Sequence, residues 1–352
     1  MRDVTSTIDR WLAEESPIAL ATVIDTWGSA PRRVGAKMVV SAAGLIAGSV
    51  SGGCVEGAVI EASLEALVSR QSQLLHFGVA DETAWDVGLA CGGSIDVFVE
   101  PLDAICYRFL HDLLDKDAYF ATVTIIKGPA DLLGQKLIVQ RGGRLFGEIN
   151  PEIDGATAAR ARTALARGNS ERLVIDLPDT GLEPFEVFIE ISHPAPSLIV
   201  IGGVHIAIAL TAMAKTLGYK TVIIDPRRSF GSKERFPHVD RLIQAWPEEA
   251  FDQVQITSST AVASLTHDPK IDDPALQFVL ATPAFYVGAL GSNKTHQERC
   301  RRLLATGVPE ERLSRIHGPI GLKIGAQTPE EIAIAIMAEI VATSHDSKIG
   351  TA

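Results

Sequence analysis

Two of the four cysteines stand beside glycine pairs. Gly52-Gly53-Cys54 follows Ser49-Val50-Ser51 and opens onto Val55-Glu56-Gly57, while Cys91-Gly92-Gly93 leads into Ser94. Backbone N–H groups at the mouth of a helix favour thiolate, and flanking glycines let a bulky ligand approach the main chain and those donors. Cys54 in that setting can act as a nucleophile, a persulfide carrier or a soft ligand. Two such thiolates suit a thiophilic centre better than oxygen donors do. The competing reading is a cysteine packed as a small apolar side chain, the commoner fate of a free thiol. Cys106 and Cys300, inside amphipathic helical patterns, are assigned to it. Arg32, Arg33 and Lys37, after the turn Gly28-Ser29-Ala30-Pro31, bring local positive charge. Glu56 and Asp86 are acid or base candidates without a partner at any telling spacing. There is no Ser-His-Asp order, nucleophile elbow or Walker loop.

The second half offers a different chemistry. Gly202-Gly203-Val204-His205-Ile206-Ala207 follows a strand pattern and opens a helix, with Asp225 ending the next strand where a ribose-binding acid would stand. Val204 occupies the position at which a dinucleotide fingerprint needs its second glycine. Two readings therefore remain, a nucleotide site and a Rossmann-like turn that has lost or altered its ligand. If a nucleotide binds, Arg227 and Arg228 favour a 2′-phosphate. Gly291-Ser292-Asn293-Lys294, a small-residue turn entering a helix, can hold a phosphate or carboxylate. His267 and His296 match no zinc spacing and are more simply loop-end hydrogen-bonding residues.

The elements that must carry these loops fall into two groups separated by His193-Pro194-Ala195-Pro196-Ser197, where the prolines deny both helix and central strand. Before it the spacing predicts strands over Ile18–Thr26, Lys37–Ser41, Leu45–Ser49, Ile95–Glu100 and Phe120–Ile126. A Gly142-Gly143 hairpin joins Lys136–Gln140 to Arg144–Phe146. Helices start near Cys54 and after Asn150-Pro151. No internal repeat stands out. Beyond the boundary strand and helix alternate, from Leu198–Ile201 through Thr221–Asp225, Ala261–Leu265 and Phe285–Leu290 to a last helix announced by Thr328-Pro329-Glu330-Glu331. The fold class is α/β: an α+β N-terminal domain, residues 1–192, then a Rossmann-like, doubly wound domain, residues 197–352.

Composition narrows the field. The 352 residues suffice for two cores, and 46% hydrophobic against 21% charged residues is a globular balance. A net charge of −11 argues against a nucleic-acid binder, so an anionic ligand must be held by local groups. Four scattered cysteines without a CxxC pair fit a reducing cytoplasm, and neither a signal peptide nor a membrane span is expected. A homodimer is the default for a homo-oligomer.

Six ordered segments resemble the xanthine dehydrogenase accessory factor family (XdhC/CoxI) over about residues 10–342. They are Gly28–Pro31, Gly52–Gly57, Cys91–Gly93 with Val99-Glu100-Pro101, Thr266-His267-Asp268, Phe285–Ser292, and Ile316–Gly321. The resemblance implies a maturation factor that binds molybdenum cofactor (molybdopterin) and keeps it while a cysteine desulfurase exchanges an oxo ligand for sulfide. The cofactor then passes to an apo molybdenum hydroxylase such as xanthine dehydrogenase. Carried over by position, Cys54 and Cys91 contact molybdenum or relay sulfur, and Gly52, Gly53, Gly92 and Gly93 shape the pocket. Gly202, Gly203, His205, Asp225, Gly291 and Ser292 are the binding candidates of the second domain. Similar proteins read G-A-G-H where Gly202-Gly203-Val204-His205 stands here. The alternatives are an NAD(P)-dependent oxidoreductase and a docking protein whose cysteines are structural.

Overall fold

The computed structural model describes residues 1–28, 32–78, 93–178, 181 and 183–349. The chain divides into two compact units, Met1–Pro194 and Ala195–Ala352. The division falls inside the two-proline segment, where the backbone can continue neither a helix nor a sheet ladder.

The first unit opens with helix α1 (Thr5–Ala13) and runs through β1 (Ile18–Trp27), β2 (Lys37–Ser41), β3 (Ile46–Gly48), α2 (Glu56–Ser69), β4 (Gln73–Phe77) and β5 (Ser94–Pro101). These strands form one antiparallel sheet ordered β3-β2-β1-β5-β4. The same succession then returns: α3 (Ala104–Asp115), β6 (Phe120–Lys127), β7 (Lys136–Gln140), β8 (Leu145–Phe146), α4 (Pro151–Arg167), β9 (Glu171–Ile175) and β10 (Phe185–Ser192), with the sheet ordered β8-β7-β6-β10-β9. Helix α2 packs on the outer face of the first sheet around Val59, Ala62 and Ala66, and α4 on the second around Ala158, Ala161 and Ala164. The inner faces meet through Ile24, Phe98, Ile126 and Phe188. Burial on both faces explains why β1 reads as a continuous apolar run instead of an alternation.

The unit is therefore an internal duplication, which corrects the expectation of no repeat. The matching residues lie at constant spacing: Gly35, Lys37, Val40, Gly44 and Gly48 answer Gly134, Lys136, Val139, Gly143 and Gly147. Val97, Phe98 and Glu100 likewise answer Val187, Phe188 and Glu190. Backbone geometry follows the sequence. Gly48 and Gly147 have φ of 77° and 83°, and a Cβ there would lie 2.3 Å and 2.6 Å from the carbonyl oxygens of Lys37 and Lys136. Only glycine fits so close a backbone approach in this conformation. Lys37 donates to Glu190 (2.7 Å) and Thr22 (3.1 Å), while Lys136 pairs with Glu100 (2.8 Å) and donates to Thr124 (2.9 Å). Each half thus hands its lysine to the other half's glutamate.

The second unit is one six-stranded parallel sheet. Its strands are β11 (Ser197–Ile201), β12 (Lys220–Ile224), β13 (Arg241–Ile243), β14 (Thr260–Ser264), β15 (Tyr286–Ala289) and β16 (Ile316–His317), in the order β13-β12-β11-β14-β15-β16. The order reverses between β11 and β14, the doubly wound Rossmann arrangement. Helices α5 (His205–Thr216) and α10 (Pro329–Ile349) cover one face through Leu210, Ala214, Ile336 and Ile340. The short α6 (Pro247–Phe251), α7 (Pro269–Val279), α8 (Asn293–Ala305) and α9 (Glu310–Leu313) cover the other. The capping box at α10 forms as its sequence demands: Thr328 N–H donates to Glu331 and Glu331 N–H to the Thr328 hydroxyl. Among the described residues no helix is long and apolar enough to cross a membrane.

Candidate functional site

Antiparallel pairing brings several loops to one end of the first sheet. Trp27 of β1 pairs with Ser94 of β5, Phe77 of β4 with Ile95, and Gly48 of β3 with Met38 of β2. Gly28, the Ser49–Val55 loop, Gly78 and the buried Gly93 consequently leave the sheet at the same end. Cys91 and Gly92 lie outside the described residues, as do Asp86 and Ser29–Pro31.

The Ser49–Val55 loop is organised by one carboxylate. Glu56, the first residue of α2, accepts hydrogen bonds from the Ser49 hydroxyl (2.8 Å), the Ser51 hydroxyl (2.5 Å) and the backbone N–H groups of Ser51 (3.0 Å), Gly52 (2.9 Å) and Gly53 (2.7 Å). Burial works against its charge, but the bonds from Ser51, Ser49 and Gly52 outweigh it and hold the carboxyl down to about 2. Gly52 and Gly53 have φ of 96° and 132°, a region that other residues enter only with strain. The donors expected to await an external anion are thus engaged by Glu56, a correction to the sequence reading. Lys37 needs a second correction: it is 3% exposed and points between the sheets, so it adds no charge to this surface.

Cys54 follows the glycine pair, half-buried against the core beneath α2, and is a free thiol. The space a Cβ on Gly53 would enter is open to 4 Å. Arg32 lies alongside, its Nε donating to the Ser49 carbonyl at 3.2 Å and its guanidinium 3.5 Å from Asp3. This set combines a soft sulfur donor, a cation and room above a glycine backbone. Cys106 is buried, and burial pushes its thiol up to about 11, as expected of a packing residue.

In the second unit the glycine turn after β11 is covered by its own chain. A Cβ on Gly203 would lie 2.4 Å from the Phe230 carbonyl oxygen, and one on Gly202 (φ 103°) 2.4 Å from the Thr266 side chain. Asp225 is fully buried. Its carboxylate accepts from Gly203 N–H (2.8 Å) and from Arg227 through the backbone (2.9 Å), Nε (2.9 Å) and Nη2 (2.7 Å). Arg235 donates to the Gly203 carbonyl at 2.6 Å. The acid expected to meet a ribose closes the turn instead, and Arg227 is tied to it. His205, first residue of α5, is exposed with Nε2 3.9 Å from Glu330. Ser292 caps α8 by accepting from Thr295 N–H (3.1 Å), beside Gly291 at φ 146°. Cys300 Sγ lies 3.6 Å from His296 Nε2, and burial pushes its thiol up.

Sequence reasoning missed one polar cluster. Glu339 on α10 accepts from Tyr286 (2.6 Å) and Gly321 N–H (2.8 Å) and lies 3.3 Å from His317 Nδ1. Burial opposes the Glu339 charge, yet the bonds from His317, Tyr286 and Gly321 lower its pKa. Burial, together with the bond to Glu339, raises the Tyr286 pKa well above the ordinary tyrosine value. Among the described residues no group of three or more His, Cys, Asp or Glu side chains is arranged to hold a metal ion.

A duplicated α+β unit bearing an exposed glycine–cysteine loop, followed by a Rossmann unit with a self-covered turn, defines the class of this protein. The family models agree: residues 11–78 match the XdhC and CoxI family and residues 198–340 the XdhC Rossmann domain. The chain belongs to the XdhC/CoxI family. It is 29% identical over 96% of both chains to a probable xanthine dehydrogenase subunit from Bacillus subtilis (strain 168). It is 27% identical to the molybdenum cofactor insertion chaperone PaoD of Escherichia coli (strain K12), covering 91% of this chain and 81% of that protein. A crystal structure described as a xanthine dehydrogenase from Bacillus halodurans superimposes with a TM-score of 0.78 at 26% identity, covering 97% of this chain and 95% of that one.

Proposed function

We propose that this chain binds molybdenum cofactor and delivers it to an apo molybdenum hydroxylase such as xanthine dehydrogenase, holding it while a cysteine desulfurase supplies the terminal sulfide. The observation that carries the reading is the Cys54 loop, with a thiol next to a glycine pair at positive φ, an open approach over Gly53 and Arg32 at its flank. Thiolate donors match a soft, sulfur-bound metal centre, and a guanidinium matches a phosphate. Cys54 is the residue to contact molybdenum or relay sulfur, and Arg32 the one to meet an anionic group of the pterin. Cys91 is the second thiol of the proposal. Family membership and the name of the Escherichia coli relative point the same way.

The test is purification from cells that make molybdopterin, with molybdenum quantified by mass spectrometry and pterin by fluorescence after oxidation. Wild type carries both, and Cys54→Ala carries much less of each. Wild-type protein devoid of pterin and molybdenum overturns the proposal. A nicotinamide dinucleotide is disfavoured by the engagement of Gly203 N–H and Asp225 with each other. Titration with NADH and NADPH is expected to give no saturable fluorescence change.

A further inference from the structure

We propose that Glu56 is the positioning residue for Cys54, and that the loop it holds is what separates the ligand-bearing half of the duplicated unit from its scaffold half. This rests on the reading of Cys54 given above.

The duplication supplies an internal comparison. After the matched glycines Gly48 and Gly147, each half leads into its long helix, and each helix sends a carboxylate back from its first turn to the chain ahead. In the second half Asp154 accepts from the N–H groups of Ile149 (3.0 Å) and Asn150 (3.2 Å), while Asn150 caps the helix by accepting from Glu152 N–H (2.9 Å). Two bonds suffice there, because the link into α4 is short and contains neither cysteine nor glycine pair. In the first half the link is longer, runs from Ser49 to Val55, and Glu56 takes five bonds instead of two. Four of the five come from Ser51, Gly52 and Gly53, the residues immediately before Cys54. A glycine pair has many backbone states of similar energy, so without an anchor the thiol would be presented in many directions. The carboxylate selects one. It uses the loop's own N–H and hydroxyl donors for this, leaving the Cys54 sulfur and Arg32 to meet a ligand.

Three variants of the full chain test this: Glu56→Gln, Asp154→Asn as the scaffold-half control, and Ser51→Ala as a milder lesion should Glu56→Gln fold poorly. The readouts are thermal unfolding, the iodoacetamide labelling rate of the Cys54 peptide in apo protein, and molybdopterin affinity per folded molecule. Glu56→Gln and Asp154→Asn both lower the unfolding temperature. Only Glu56→Gln speeds Cys54 labelling several-fold and weakens molybdopterin binding by about tenfold, the size expected when a partner that orients a ligand is lost. Ser51→Ala shifts labelling in the same direction by less. Folded Glu56→Gln protein, or folded Ser51→Ala protein if the former is not obtained, with wild-type labelling of Cys54 overturns the proposal. If Glu56→Gln changes labelling while Cys54→Ala keeps full molybdopterin content, the positioning role stands and the cofactor reading of Cys54 falls.

Discussion

Replacing Lys136 by Met removes one of the two reciprocal charges between the sheets of the first unit. The Lys136 and Glu100 side chains are 16% and 6% exposed and 2.8 Å apart. At an effective dielectric constant of about 20, Coulomb's law gives roughly 6 kcal/mol of gross attraction at that distance, most of it offset by the desolvation of both ions. The net value of the pair is therefore small, whereas the loss of one partner leaves Glu100 charged and buried, at a cost of about 3–5 kcal/mol. With a urea dependence of about 2 kcal/mol per molar, the midpoint of the first unit's transition falls by roughly 1.5–2.5 M. Urea unfolding followed by circular dichroism reads this directly. The double variant Lys136→Met with Glu100→Leu recovers most of the loss, because an apolar pair of similar volume needs no counter-charge. A neutral Lys136→Met, or a double variant whose loss equals the sum of the two single losses, would refute the reasoning.

Other outcomes follow from the same geometry. Asp225→Asn lowers the stability of the second unit by about 3 kcal/mol, the low end for breaking a buried pair because Arg227 is 33% exposed; calorimetry of the full chain measures it. Glu56 is held at about 2 against an ordinary 4.5, so its stabilising contribution is complete above pH 4.5 and is lost as the pH falls toward 2. The gap in urea midpoint between wild type and Glu56→Gln accordingly narrows across that interval, and a gap independent of pH would contradict the assignment. Tyr286→Phe removes a hydrogen bond to an ionised carboxylate and costs about 1.5–3 kcal/mol in thermal or chemical unfolding, with Gly321 and His317 left to hold Glu339.

What was legible in the chain was mostly local. The Asn150-Pro151 and Thr328–Glu331 caps involve neighbours within one helical turn, so residue type alone announces them. The alternation of aliphatic strands and helices after Ser197 likewise points to a parallel α/β sheet, and the structure gives it the doubly wound order. Other features depend on partners far along the chain. Strand β10 is not among the strands that the spacing predicts; Glu186 and Glu190 recur along it, and only the folded unit supplies Arg172 at 2.6 Å and Lys37 at 2.7 Å. Lys37 looks like a surface cation for the same reason. The repeat escaped because its matches are sparse and three of the five in the longer set are glycines, which occur in any turn. Three of the five donors to Glu56 are backbone N–H groups, present at every residue but proline, and no spacing rule marks which of them converge. Tyr286 and Glu339 are separated by 53 residues.

The exchange of lysines between the two halves bears on how the chain matures during synthesis. Lys37 is 153 residues from Glu190, so at a ribosomal pace of about 5–20 residues per second its counter-charge arrives roughly 8–30 s after it is made. Until then the nascent first sheet has an unneutralised ammonium on the face destined for its interior, and water must remain there. Closure of the amino-terminal body is thereby deferred to the emergence of its last strand, which discourages a prematurely sealed half-structure on the ribosome.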